Sequence, residues 1–184
     1  VAGVAFTGST ETAWAINRSL AARDAAIATL IAETGGQNVM LVDSSALLEQ
    51  VVADVLHSGF QSAGQRCSAL RVLLVQQDIV PRLLEMLGGA MAELRVGDPG
   101  DLATDIGPII DRDALQMLER HAERMDKEAR LIYCCKFSDT MTRGTFFAPR
   151  LYEISSLDQL QREVFGPVVH VMRYRASELG ALID

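Results

Sequence analysis

Long apolar runs are missing from this sequence. Nothing in its 184 residues approaches the roughly 18–20 apolar residues needed to cross a bilayer, so no membrane contact is expected of this segment. A leader is missing too: VAGVAFTGSTETAW has no basic start and runs straight into strand-like sequence, which predicts no secretory signal peptide. Lysine is nearly absent, occurring only at positions 127 and 136, and the 17 basic residues are scattered among 24 acidic ones. A net charge of −7 gives no general attraction to phosphate backbones or anionic lipid, which argues against nucleic-acid binding. Cysteine is scarce: Cys67, Cys134 and Cys135 are odd in number, and two of them are adjacent. That pattern fits neither a disulfide framework nor a CxxC zinc site, so a reducing cytoplasm is expected and a metal is not. Internal repeats and low-complexity tracts are also lacking.

What is present is ordinary globular sequence, 49% hydrophobic and 22% charged, long enough to bury a substantial core. Residue 1 starts inside a strand-like run, and SELGALID stops in a helical pattern without a terminating signal, so a longer parent chain is expected.

VAGVAF (1–6) reads as a strand ended by TGST, whose Ser9 and Thr10 hydroxyls suit a helix start. The Ala-rich stretch 11–24 suits a helix. Residues 27–33 and 38–43 read as buried strands split by TGGQ. Apolar spacing at Leu48, Val51, Val52, Val55, Leu56 and Phe60 predicts a helix over 47–63. A strand at 71–76 and a helix at 78–96, with Pro81 near its first turn, come next. An amphipathic helix at 111–129 leads into a strand at 129–135, and 136–145 is polar and turn-rich. Residues 145–154 look extended, 157–166 read as a short helix breaking into a loop, and 168–174 as a last strand. Strands alternating with helices of this length predict an α/β layered fold, a mainly parallel sheet with helices on both faces.

Four short motifs offer chemistry, and each has a plain alternative. FTGSTE (6–11) joins a strand end, Gly8, Ser9 and a helix start, which can hold a phosphate or be simply a capped helix. ETGGQN (33–38) puts Glu33 at a strand C-terminus, where a general base or a solvated loop carboxylate would both be at home. In GQRCSA (64–69) Cys67 is either a small core hydrophobe or a reagent. Its neighbours Gly64, Gln65, Arg66 and Ser68 favour a turn that presents the thiol, with Arg66 close enough to favour the thiolate if its side chain points that way. EVFGPV (163–168) is either a helix end stopped by Gly166-Pro167 or a carboxylate and ring for a sugar hydroxyl and a flat ligand. His57, His121 and His170 fall in helix or strand patterns and read as structural, which makes a cysteine–histidine hydrolase less attractive.

In the order FTGSTE, ETGGQN, GQRCSA, EVFGPV, the set resembles the aldehyde dehydrogenase superfamily across all 184 residues. Within it, ETGGQN, AGQRCSALR and VVADVLHSGFQSAG are most similar to the L-glutamate γ-semialdehyde (1-pyrroline-5-carboxylate) dehydrogenases, above all the dehydrogenase module of bifunctional proline utilisation proteins. The resemblance implies NAD as cofactor, Cys67 as nucleophile, Glu33 as the base for thioester hydrolysis, and Ser68 at the substrate carboxylate. It likewise implies Gly8 and Ser9 at the pyrophosphate, Glu163 at the nicotinamide ribose and Phe165 beside the nicotinamide. Half of an oxyanion hole would come from the Cys67 N–H. Ala13 stands where many relatives have glycine, so the close approach there is expected to differ. By this likeness, 1–33 would close a cofactor-binding domain and 34–184 would form most of the catalytic domain. The oxyanion asparagine and the substrate-anchoring loop would lie outside the segment, which would then be weak or inactive alone. A proline dehydrogenase module in the same parent chain and homo-oligomerisation are further implications. The competing expectations are an aldehyde dehydrogenase of another substrate class, a cofactor-free cysteine acyl-transferase, and a non-catalytic segment with a structural thiol.

Overall fold

The alternating strand and helix patterns resolve into two compact units, Val1–Gly36 and Gln37–Asp184. The structure is a computed structural model that describes residues 1–136, 141 and 143–183, so most of the turn-rich stretch expected at 136–145 lies outside the described residues.

In the first unit, β1 (Gly3–Thr7) and β2 (Thr29–Glu33) pair in parallel from Gly3 opposite Thr29 to Thr7 opposite Glu33. A parallel pair needs a long crossover, here containing α1 (Thr10–Ala21). Ser9 caps that helix, and its side chain accepts from the Thr12 N–H at 3.2 Å. The helix ends at Ala21, three residues before the expected limit, where the Ala22 N–H turns back to the carbonyls of Arg18 and Leu20. Ala13 is buried.

The second unit is built on a five-stranded sheet in the order β3 (Val39–Val42), β4 (Val72–Gln76), β7 (Val168–Tyr174), β6 (Arg150–Glu153), β5 (Arg130–Cys134). All neighbours are parallel except β5, which runs antiparallel to β6. Every residue of β4 is buried, which is why VLLVQ reads as an almost continuous apolar run. Helices α2 (Leu48–Phe60), α3 (Val80–Ala92) and α4 (Arg112–Glu128) flank the sheet, and α5 (Leu179–Ile183) follows β7. Val51, Val55 and Phe60 of α2, Leu83, Leu87 and Met91 of α3, and Leu118 and Met125 of α4 enter one core. Each such burial stabilises by about 1.5–3 kcal/mol against exposure. Among the described residues no helix is long and apolar enough to cross a membrane.

The strands expected to be buried at 27–33 and 38–43 form β2 and β3 but are mostly exposed, and three further segments depart from expectation. The helix expected over 47–63 stops at Phe60, and Gln61–Gly64 forms a 3-10 turn in which Ser62, Ala63 and Gly64 all have positive φ, 54°, 52° and 62°. The helix expected over 78–96 starts as a 3-10 turn at Gln77–Ile79 and is α-helical only over Val80–Ala92. The short helix expected at 157–166 is a 3-10 turn at Leu157–Gln159, after which the chain is irregular. Side chains from elsewhere explain the last case. Gln37 donates to the carbonyls of Leu160 and Arg162, and Arg71 donates to that of Gly166, so this backbone is satisfied without helical bonds.

Candidate active site

Within the first unit, β1 and β2 bring Gly8, Ser9 and Glu33 to one end of the parallel pair. The Gly8 N–H donates to the Glu33 carbonyl at 3.1 Å, and all three residues are exposed. Ser9 sits at the start of α1, where backbone N–H groups point out of the helix and the dipole is positive. Its hydroxyl is occupied locally, accepting from Thr12 N and donating to Thr12 Oγ1 at 2.9 Å.

Within the second unit, Cys67 and Ser68 are exposed at the tip of the turn between α2 and β4. This loop is pinned from several sides. Asn38 Nδ2 donates to the carbonyls of Cys67 (2.7 Å) and Ala69 (2.9 Å), while its own carbonyl accepts from Arg71 N and Val72 N. Gln65 accepts from Ile110 N at 2.8 Å and donates to Pro108 O at 3.2 Å. At Gly64 (φ 62°) an added Cβ would lie 2.2 Å from the carbonyl oxygen of Gly166, so the cysteine turn and EVFGPV meet backbone to backbone.

The sequence pointed to Arg66 as the cation beside the thiol, but its guanidinium donates to the carbonyl of His57 at 2.9 Å. The cation that feels the charges of both Glu163 and Cys67 is Arg71, whose side chain is fully buried. Burial lowers the Arg71 pKa, and the Glu163 carboxylate and the Cys67 sulfur oppose that shift. Glu163 is partly buried, 18% exposed in its side chain, and its Oε1 accepts from Arg71 Nη2 at 3.1 Å. Phe165 presents an exposed ring 5.4 Å from the Arg71 guanidinium carbon.

The other cysteines differ in kind from Cys67. Burial raises the Cys134 thiol and pushes Cys135 up to about 12, and Cys135 Sγ donates to the Met91 carbonyl. Half-buried His121 and buried His170 form a pair, Nε2 to Nε2 at 2.9 Å. His170 Nδ1 lies 3.1 Å from the Arg71 carbonyl, which can only accept, so Nδ1 carries the proton and Nε2 accepts from His121. His57 is exposed on α2. Among the described residues no group of three or more His, Cys, Asp or Glu is placed to hold a metal ion.

The fold thus gathers Gly8, Ser9 and Glu33 in one unit, and Cys67, Ser68, Glu163 and Phe165 in the other. Sequence reasoning missed Arg71, Asn38 and Gln65. Arg71 opens RVLLVQ and passes for a strand residue there, though a charge at the head of a fully buried strand was a usable signal.

Comparison with known proteins matches residues 1–181 to the family described as "Aldehyde dehydrogenase family". The bifunctional protein PutA of Klebsiella aerogenes is 51% identical over the whole of this chain, which spans only 15% of that relative's length. A crystal structure of a bifunctional proline utilization A (PutA) protein superposes with a TM-score of 0.95 at 52% identity, covering 100% of this chain and 18% of that one. A point mutant of betaine aldehyde dehydrogenase from Staphylococcus aureus, in complex with NAD+ and bearing a BME-modified cysteine, gives a TM-score of 0.89 at 28% identity over 97% of this chain and 37% of that one.

Proposed function

The chain belongs to the aldehyde dehydrogenase family, and on that premise we propose that it supplies the cysteine-bearing part of an NAD-dependent L-glutamate γ-semialdehyde dehydrogenase. Each unit by itself holds residues of the kind a dinucleotide uses. Gly8 and Ser9 at the start of α1 would take the pyrophosphate, the Glu163 carboxylate a ribose hydroxyl, and the exposed Phe165 ring the nicotinamide face. The Cys67 sulfur would attack the aldehyde carbon, and the thiohemiacetal oxygen would be met by the Cys67 N–H. A bound NAD would supply the hydride acceptor, so that oxidation of this carbon would leave a thioester on Cys67. Glu33 would then take a proton from the water that hydrolyses the thioester to the carboxylate. Ser68 would hold the far carboxylate of the substrate. Residues 1–33 would close the cofactor-binding domain, and 34–184 would form most of the catalytic domain.

The observation that carries this reading is an exposed thiol on a turn tied by Arg71 to Glu163, in a chain half identical to PutA throughout. The relatives' names speak of bifunctional, proline-utilising proteins, and the proposal extends to a cytoplasmic parent chain with a proline dehydrogenase module, in which this would be the second step of proline breakdown. Such parents would form homo-oligomers. Turnover of the full-length parent with NAD is expected to favour glutamate semialdehyde over long aliphatic aldehydes and to fall at least about a thousandfold in Cys67→Ala. Preference for the aliphatic aldehydes would assign another substrate class, and ester hydrolysis with no reduction of NAD by any aldehyde would sink the dehydrogenase reading altogether.

A further inference from the structure

Arg71 follows Cys67 by four positions, yet its side chain points away from solvent and is fully buried. Nη1 donates to the carbonyls of Gly64 (2.8 Å) and Gly166 (3.1 Å). Nη2 donates to the carbonyl of Arg66 (3.1 Å) and to Glu163 Oε1 (3.1 Å). Two of these acceptors flank the cysteine turn, and the other two belong to EVFGPV. A buried guanidinium is tolerated when its charge is paired and most of its hydrogens are engaged; here both Nη atoms are, while Nε is buried without a partner among the described residues. Its flat fork fixes directions as well as distances. An ammonium could balance the charge but not reproduce four acceptors set around one plane. The same two segments also touch at Gly64 and Gly166, with no room there for a side chain. Among the described residues its charged hydrogen-bond partner is Glu163, the carboxylate assigned above to the ribose.

We propose that Arg71 is a positioning residue, whose guanidinium locks the Cys67 turn and the Glu163–Phe165 segment in one register. The nucleophile and the carboxylate assigned to the ribose then keep a fixed separation. The inference rests on the function proposed above for that site.

The test uses the full-length parent chain with Arg71→Lys, Arg71→Met, Glu163→Gln and the corresponding double variants. It reads kcat, KM for NAD, thermal midpoint and the rate of Cys67 alkylation by iodoacetamide. Loss of a charged hydrogen bond predicts an NAD KM raised roughly tenfold or more in Arg71→Met, with part of that loss recovered in Arg71→Lys. In the Glu163→Gln background the same changes are expected to add less than about threefold, because the charge pairing is already gone. Effects that multiply independently in the two backgrounds, or a lowered thermal midpoint with KM unchanged, would overturn the proposal. Glu163→Gln alone is expected to change the Cys67 alkylation rate by about threefold or more, through the shared guanidinium. An unchanged rate there overturns the proposal even if no Arg71 variant folds. A wild-type parent that fails to reduce NAD would remove the proposed reaction, while the alkylation rates would still decide the role of Arg71.

Discussion

Three successive left-handed residues shape the turn that carries the thiol. For Ser62 and Ala63 such a conformation costs roughly 1–2 kcal/mol each, and it holds only where neighbours over-determine it. Gly64 adds the close approach to Gly166, so Gly64→Ala combines φ strain with a backbone clash. Its expected cost is about 2–4 kcal/mol, read as a lowered urea midpoint; a midpoint within experimental scatter of the wild type would show that the two segments can part freely. Iodoacetamide is expected to modify Cys67 far faster than Cys134 or Cys135, since only Cys67 is exposed and burial suppresses the other two thiolates. Equal, slow labelling of all three would favour a structural thiol. The exposed cysteine was readable from its polar neighbours. The link made by Arg71 was not, because its partners lie up to 95 residues away.

Helices and strands with a strong apolar period were legible to within a few residues. The amphipathic pattern of 111–129 became α4, and its start is explained by Asp111, whose carboxylate accepts from Ala114 N at 2.8 Å. Asp111→Ala should destabilise the chain by about 1 kcal/mol and leave Asp111→Ser near wild type, as measured by chemical denaturation. A neutral Asp111→Ala would mean that the α4 cap contributes nothing. The segment 157–166 failed as a helix for a reason outside itself. Leu160 and Val164 are buried, and Gln37 takes the Leu160 and Arg162 carbonyls that a helix would use. Local pattern cannot register an acceptor already claimed by a distant donor.

Over the whole molecule, stability is expected to depend on pH through the two paired histidines. Burial first, then the charges of His121 and nearby arginines, hold His170 at about 3 instead of 6.5. Burial and then Arg124 hold His121 at about 4. Unfolding lets both imidazoles take protons near pH 6.5, so below that pH the unfolded chain binds more protons than the folded one. The contribution is complete above pH 6.5 and is lost as the pH falls towards 4 and then 3, at about 1.4 kcal/mol per pH unit for each imidazole. Urea midpoints at pH 7 and pH 5 check this, and identical midpoints would contradict it. The two units should also differ in protection. The β1–β2 pair leaves Trp14, Ile27 and Ile31 exposed, and an isolated two-stranded sheet is marginal, whereas β4 and most of β7 are buried. Hydrogen exchange is expected to be fastest in Val1–Gly36 and slowest in β4 and β7.

Periodicity, turn residues and the polar surroundings of Cys67 were enough to establish the element order, the α/β class and the residues worth suspecting, since each of these is set by neighbours a few positions apart. The left-handed turn, the irregular path of EVFGPV and the Arg71 link came from folding alone. Each depends on which buried donor finds which carbonyl, and that pairing joins residues that are distant along the chain.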